Sequence, residues 1–299
     1  MSAALDPLAP TADRHYQDDL VHVLRLGRGE RPPGRGETIA VTAHFLLRKR
    51  NRRIELSHRL RPDQLDNDLV GLLHDELFGP GWLTGNVVFE RVVAGIVRST
   101  ISDPTLAWGT FYANTLAKIR QATVEDDEPG SVIAGMVPVY ERARRLVPPG
   151  SVLDLGSCFG FFPLLLAERG DTSVIASDVV PASMRLLATM ARARHVPVET
   201  LACDAASVPL PNRSVDTVTM LHLLEHLDPV DGHRVVAEAV RLASNRVVIA
   251  VPYEEEPAEI YGHIRTFDRS VLTDIGMATG LPFSVTEHHG GWLVIDTTA

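Results

Sequence analysis

Three aspartates stand where strand-like runs end: Asp154 in VLDL, Asp178 after SVIAS, and Asp204 after VETLAC. An ionised carboxylate only accepts hydrogen bonds, so at a strand end it can take both hydroxyl protons of a ribose. Singly, each aspartate reads as a helix cap, but capping does not readily explain three at consecutive strand ends. Gly156, Ser157, Cys158 and Gly160 follow the first of these strands, and small residues there let a ligand approach the backbone closely. A second cluster lies in HLLEHL, where i, i+3, i+4 spacing puts His222, Glu225 and His226 on one face of a helical turn. Three chemistries are open to it. His-x-x-Glu-His is the zinc signature of inverted zincins, but Asp228-Pro229 cuts the segment too short for the helix such a site needs. The three residues can instead pack and bond locally. Lastly, a histidine can take a hydroxyl proton as general base, or Glu225 and His226 can hold a divalent ion that lowers the hydroxyl pKa. In YEEEPAEIYGHIRTFD, Tyr253, Tyr261 and Arg265 are candidate acceptor contacts, and His263 is a further base or metal ligand. The Glu254, Glu255, Glu256 run reads as a solvated loop, and His288-His289 as an exposed turn.

Positioning these groups together requires strand ends that share one edge. From residue 131 onward, VLDL (152–155), SVIAS (173–177), VETLA (198–202), DTVTML (216–221) and RVVIAVP (246–252) are buried-type β-runs spaced by helical segments. That alternation predicts a parallel sheet with right-handed crossovers. Pro181 and the pair Asp228-Pro229 mark helix starts. PFSVTEH and WLVIDTT, joined through Gly290-Gly291, form an antiparallel hairpin after a helix over 268–280. Upstream, TIAVTAHFLLRKRNRRIELS predicts two strands turning near Arg50 and Asn51, with Ile39, Val41, Ala43 and Phe45 alternating inward. Residues 63–78 and 87–122 read as helical, interrupted by FGPGW. The acidic stretch EDDEPG (125–130) marks a boundary between domains 1–127 and 128–299.

The chain has 299 residues, two cysteines and a net charge of −9. Cys158 and Cys203 alone fit a reducing, cytoplasmic setting and not a disulfide framework. The acidic balance does not favour a nucleic-acid partner, and no apolar run is long enough to span a bilayer or act as a secretory signal. Arg48, Lys49, Arg50, Arg52, Arg53, Arg59 and Arg61 form the one marked basic cluster, read as a solvated hairpin end or an anion contact. Trp108, Phe111 and Tyr112 read as core packing or an aromatic platform.

Asp154-Leu155-Gly156-Ser157-Cys158-Phe159-Gly160 resembles the DxGxGxG first motif of class I S-adenosylmethionine-dependent methyltransferases, with Cys158 at the middle glycine. Asp204-Ala205 followed by VPLPNRSVD resembles that family's D-A-x-x-L-P-F…S-F-D stretch. The resemblance covers about residues 131–299 and implies a Rossmann-like α/β fold. Its seven-stranded sheet has an antiparallel last strand, and the smaller α+β domain that precedes it here is expected to cap the site and select the acceptor. It also implies that S-adenosylmethionine contacts Asp154, Gly156, Ser157, Cys158, Gly160, Asp178, Asp204, Ala205 and Leu221. Asp178 would hold the ribose and Asp204 the adenine amino group.

DLGSCFGFF, LEHL and YGHIRTFD behind a long N-terminal region are similar to the mycofactocin oligosaccharide methyltransferases of actinobacteria. That family methylates a glucose hydroxyl on the glycan of a peptide-derived redox cofactor. The resemblance implies an O-methyltransferase with a small-molecule or glycan acceptor, using a histidine base or a divalent metal. An N- or C-methyltransferase, or a silent cofactor-binding protein, is the alternative.

Overall fold

The computed structural model describes residues 5–32, 36–50, 53–122, 130–258 and 261–298. The chain divides into two compact units, Met1–Ala134 and Gly135–Ala299. Residues 125–129, where the sequence places the boundary, lie outside the described residues, as do Asn51 and Arg52 at the expected hairpin turn.

In the first unit, β1 (His15–Gln17), β2 (Val21–Arg25), β3 (Glu37–Val41), β4 (Phe45–Arg50) and β5 (Arg53–His58) form one sheet in the order β1-β2-β5-β4-β3. Only the β2–β5 pair is parallel. The segment expected to be one strand before the turn near Arg50 is two, β3 and β4, joined by a turn in which the Thr42 amide donates to Phe45 O at 2.9 Å. The inward alternation fails: Ala40 and Phe45 are buried, Val41 is 73% exposed and Ala43 is exposed. A register shift between Thr38 and Ala40 turns the strand over, so the residues that alternate in sequence no longer share a face. The unit continues with α1 (Leu69–Leu73), α2 (Asn86–Thr100) and α3 (Pro104–Gln121).

Gly95 lets α2 lie close on Val23 and Tyr16, where a Cβ would collide. The buried Arg91 guanidinium pairs with Asp18 at 2.6 Å and Asp19 at 2.8 Å. Arg98, fully buried, donates to the carbonyls of Ala9 (2.8 Å) and Ser102 (3.0 Å) and so ties down the N-terminal segment. Trp108, Phe111 and Tyr112 are core residues, and the Trp108 indole donates to Pro7 O at 2.8 Å. Within the basic cluster, Arg59 donates to the carbonyls of Gly27 and Glu30, and Arg61 pairs with Asp63.

In chain order, the second unit contains α4 (Val132–Leu146, starting in the first unit), β6 (Gly150–Leu155), α5 (Phe161–Ala167), β7 (Thr172–Asp178), α6 (Pro181–Ala193) and β8 (Val198–Ala202). These are followed by β9 (Val215–Leu221), α7 (Pro229–Leu242), β10 (Ala243–Val251), α8 (Arg269–Ala278), β11 (Phe283–Glu287) and β12 (Gly291–Asp296). Its seven strands run in the order β11-β12-β10-β9-β6-β7-β8. The five from β6 to β10 are mutually parallel, and β12 pairs antiparallel with both β10 and β11. The predicted Rossmann-like seven-stranded sheet is therefore the one observed.

Alternate residues of the same strands feed two cores on opposite faces. Leu153, Val218, Met220 and Ile249 pack with Val235, Ala239 and Leu272 of α7 and α8. Val152, Val248, Ala250 and Trp292 pack with Val139, Phe162 and Leu166 of α4 and α5. Burial of each large side chain contributes about 1.5–3 kcal/mol, which is why the strands read as nearly unbroken apolar runs. Asp228 caps α7 by accepting from the Val230 and Asp231 amides, and Asp268 caps α8 at Val271. The strand order places the C-terminal ends of β9, β6, β7 and β8 side by side along one edge.

Candidate active site

The turn after β6 is built on left-handed backbone. Gly156, Cys158 and Gly160 have φ of 73°, 51° and 75°. A Cβ on Gly156 would press into Leu223, and one on Gly160 into Leu187. Cys158 thus occupies a conformation that favours glycine, which accounts physically for the glycine usual at this point of the motif. Cys158 sits exposed in this turn, just after β6.

Asp154 supports the turn from below. Its Oδ1 accepts from the Thr219 hydroxyl at 2.6 Å and its Oδ2 from the Ser157 hydroxyl at 2.7 Å. It is only 4% exposed, and burial pushes its carboxyl up to about 6 despite those bonds. Asp178, at the end of β7, clasps the same turn: Oδ2 accepts from the Cys158 amide and Oδ1 from the Val180 amide, both at 2.9 Å. Each of its oxygens keeps a second lone pair. Asp204 follows β8, is exposed, and accepts from the Ala206 amide at 2.8 Å. Strands lie about 4.8 Å apart, so the carboxylates on β6 and after β8 spread over roughly 10 Å, the scale of a nucleoside. Ala205 is half-buried beside them, and Leu221 closes β9 among the buried residues of the α4–α5 face.

Past β9 the chain does not form the helical turn expected for HLLEHL. His222 is left-handed (φ 57°), its amide donates to Ala250 O at 2.9 Å, and only Leu224–His226 form a short 3₁₀ turn. Extension of the β9–β10 pairing to His222 overrides the helical spacing. His222 Nδ1 still lies 3.4 Å from Glu225 Oε1. Burial drives both toward their neutral forms, the Glu225 carboxyl up to about 8 and the His222 imidazole down to about 4, so the pair is not ionic at neutral pH.

His226, on the exposed side of the turn, is brought against the buried His263, with ring centroids 4.9 Å apart and planes at 80°. His226 Nδ1 bonds to Gly262 O at 3.2 Å, and His263 Nδ1 lies 2.9 and 3.0 Å from the two oxygens of Glu254. Local desolvation lowers the His226 pKa, opposed in part by the Gly262 carbonyl. The Ile264 amide donates to Glu225 O at 2.9 Å, fixing the His263 segment to the 3₁₀ turn.

Glu254 is therefore not part of a freely solvated run, although its neighbours Glu255 and Glu256 are exposed. The glutamate run drew no functional expectation because its partner lies nine residues away across an irregular loop. Tyr253 and Tyr261 are partly exposed, at 36% and 41%, and Tyr261 lies 6.0 Å from His263. The Arg265 guanidinium is stacked 4.3 Å over the Phe267 ring. The loop glycine Gly262 is itself left-handed, with φ 81°. Tyr140 on α4, which the sequence did not single out, stacks on Phe162 at 5.7 Å. Burial, with Cys158 and Asp154 nearby, raises its hydroxyl pKa.

Residues 152–245 match the family model of a methyltransferase domain. The chain is 27% identical over 131 residues to the demethylmenaquinone methyltransferase of Thermus thermophilus, a match covering 43% of this chain and 59% of that protein. Among solved structures, an S-adenosylmethionine-dependent methyltransferase from Aquifex aeolicus is 17% identical (TM-score 0.44), covering 60% of this chain and 96% of that one. The magnesium protoporphyrin IX methyltransferase of Synechocystis PCC 6803, solved with bound S-adenosylhomocysteine, is 14% identical (TM-score 0.43), covering 62% and 92%. Among the described residues, no helix is long and apolar enough to cross a membrane.

Proposed function

We propose that the chain is an S-adenosylmethionine-dependent O-methyltransferase acting on a sugar hydroxyl, such as one on a mycofactocin-type glycan. The observation that most supports this is the pair of imidazoles beyond β9. Both Nδ1 atoms are committed, to Gly262 and to Glu254, and each Nε2 is left without a hydrogen-bond partner among the described residues. The residues at the strand ends fit the cofactor. Asp178 and Asp204 offer acceptor lone pairs to ribose hydroxyls and to an adenine amino group, and the left-handed turn offers its backbone. Asp154, buried beneath the turn, acts by holding that turn in shape through the Ser157 and Thr219 hydroxyls.

When bound, the cofactor supplies a methyl group made electrophilic by its sulfonium. The hydroxyl proton passes to Nε2 of His226 or His263, or is made acidic by an ion held at Glu225 and His226. Tyr253, Tyr261 and Arg265 border the loop that carries His263 and are the proposed acceptor contacts.

Likeness to the Thermus enzyme favours one further reading, methylation of demethylmenaquinone. Incubation of the protein with isotopically labelled S-adenosylmethionine and a cell extract, followed by mass analysis, separates these. The sugar reading requires one methyl gained on an oxygen of a glycosylated small molecule. Label on a quinone ring, a nitrogen, a protein or a nucleic acid would sink it.

A further inference from the structure

Glu225 is fully buried, yet among the described residues neither of its carboxyl oxygens has a hydrogen-bond partner. Native structures rarely leave a buried polar group unsatisfied, because the lost solvation is costly. The neighbouring side chains show what would satisfy it. One ligand atom from each of Glu225, His226 and His263 lies within 4.8 Å of the other two. His226 Nδ1 is taken by Gly262 O and His263 Nδ1 by Glu254, so Nε2 is the nitrogen each ring can offer. A carboxylate that holds the far nitrogen of an imidazole is the arrangement by which metal ligands are oriented.

The geometry points to a divalent metal site formed by Glu225, His226 and His263, with Glu254 as a positioning residue behind His263. Two imidazoles and one carboxylate suit a first-row transition ion such as Zn²⁺ or Co²⁺; Mg²⁺ prefers oxygen donors and keeps its waters. Three protein ligands leave coordination positions for an acceptor hydroxyl, whose proton the ion makes easier to lose. In that case the imidazoles are ligands and the proton leaves to solvent water. This role rests on the O-methyltransferase reading, whereas binding of the ion does not.

The test uses the full chain, stripped with a chelator and dialysed against Co²⁺, Zn²⁺ or Mg²⁺ separately. Bound metal is counted by elemental analysis, and the visible spectrum of Co²⁺ provides a second readout. The site predicts one Co²⁺ or Zn²⁺ per chain, and Mg²⁺ held about tenfold or more weakly. Glu225→Gln and His226→Ala each lower Co²⁺ affinity by more than about tenfold, and Glu254→Gln by about tenfold. His226 lies at the surface, so its replacement spares the core if the Glu225 variant fails to fold. No stoichiometric binding, or binding that these substitutions leave unchanged, overturns the site. S-adenosylmethionine affinity, measured on the same samples, keeps the two readings apart. Protein that binds the cofactor but no metal refutes the ion alone. Protein that binds metal but ignores the cofactor refutes the methyltransferase assignment alone.

Discussion

Replacing Asp154 by asparagine isolates the electrostatic cost of the support beneath the glycine turn. The carboxyl is buried, and its pKa stands at about 6 against an ordinary 3.8. The folded state therefore binds this proton more tightly than the unfolded chain does. A carboxyl raised in this way contributes stability that is fully present below the unfolded value and is lost as pH rises through the folded one. The difference between the two values corresponds to about 3 kcal/mol, lost by the wild type between about pH 3 and pH 7. Asparagine carries no charge, and its amide can accept from one of the Thr219 and Ser157 hydroxyls while donating to the other. Urea unfolding of both proteins across that range, followed on the second unit's transition, gives the difference directly. Asp154→Asn should gain on the wild type with rising pH, by up to about 3 kcal/mol. A difference that stays flat with pH would refute the account of a charge held at a cost.

The left-handed turn makes two further predictions. Gly160→Ala combines a disfavoured φ of 75° with a Cβ driven into Leu187 and should cost about 2–4 kcal/mol. In thermal melts, the double variant with Leu187→Ala should lose less than the sum of the single losses, and strict additivity would contradict the collision. At Cys158, valine should cost about 1–2 kcal/mol because a β-branched residue at φ 51° is strained, whereas glycine should be tolerated. Equal stability of the valine and wild-type proteins would mean that the backbone there is not held left-handed.

The second unit was legible because its central strands β6, β9 and β10 are buried on both faces and read as apolar runs. Pro181, Asp228 and Asp268 mark helix starts that the structure keeps. The histidine cluster was only half legible. His222, Glu225 and His226 declare themselves by spacing, but strand pairing at the His222 amide replaces the helix that the spacing suggests. His263 reaches His226, and Glu254 reaches His263, across loop backbone that has no period to read. In the first unit, the register shift in β3 reverses which residues face inward, and nothing in a two-residue alternation announces it.

Calorimetric titration of the protein with S-adenosylmethionine tests the central claim most directly. The account predicts one site per chain and an affinity loss of about tenfold or more in Asp178→Ala, because two ribose hydroxyls lose a charged acceptor. Absence of binding in the wild type, or binding that Asp178→Ala leaves unchanged, would contradict the placement of the cofactor at the ends of β6, β7 and β8.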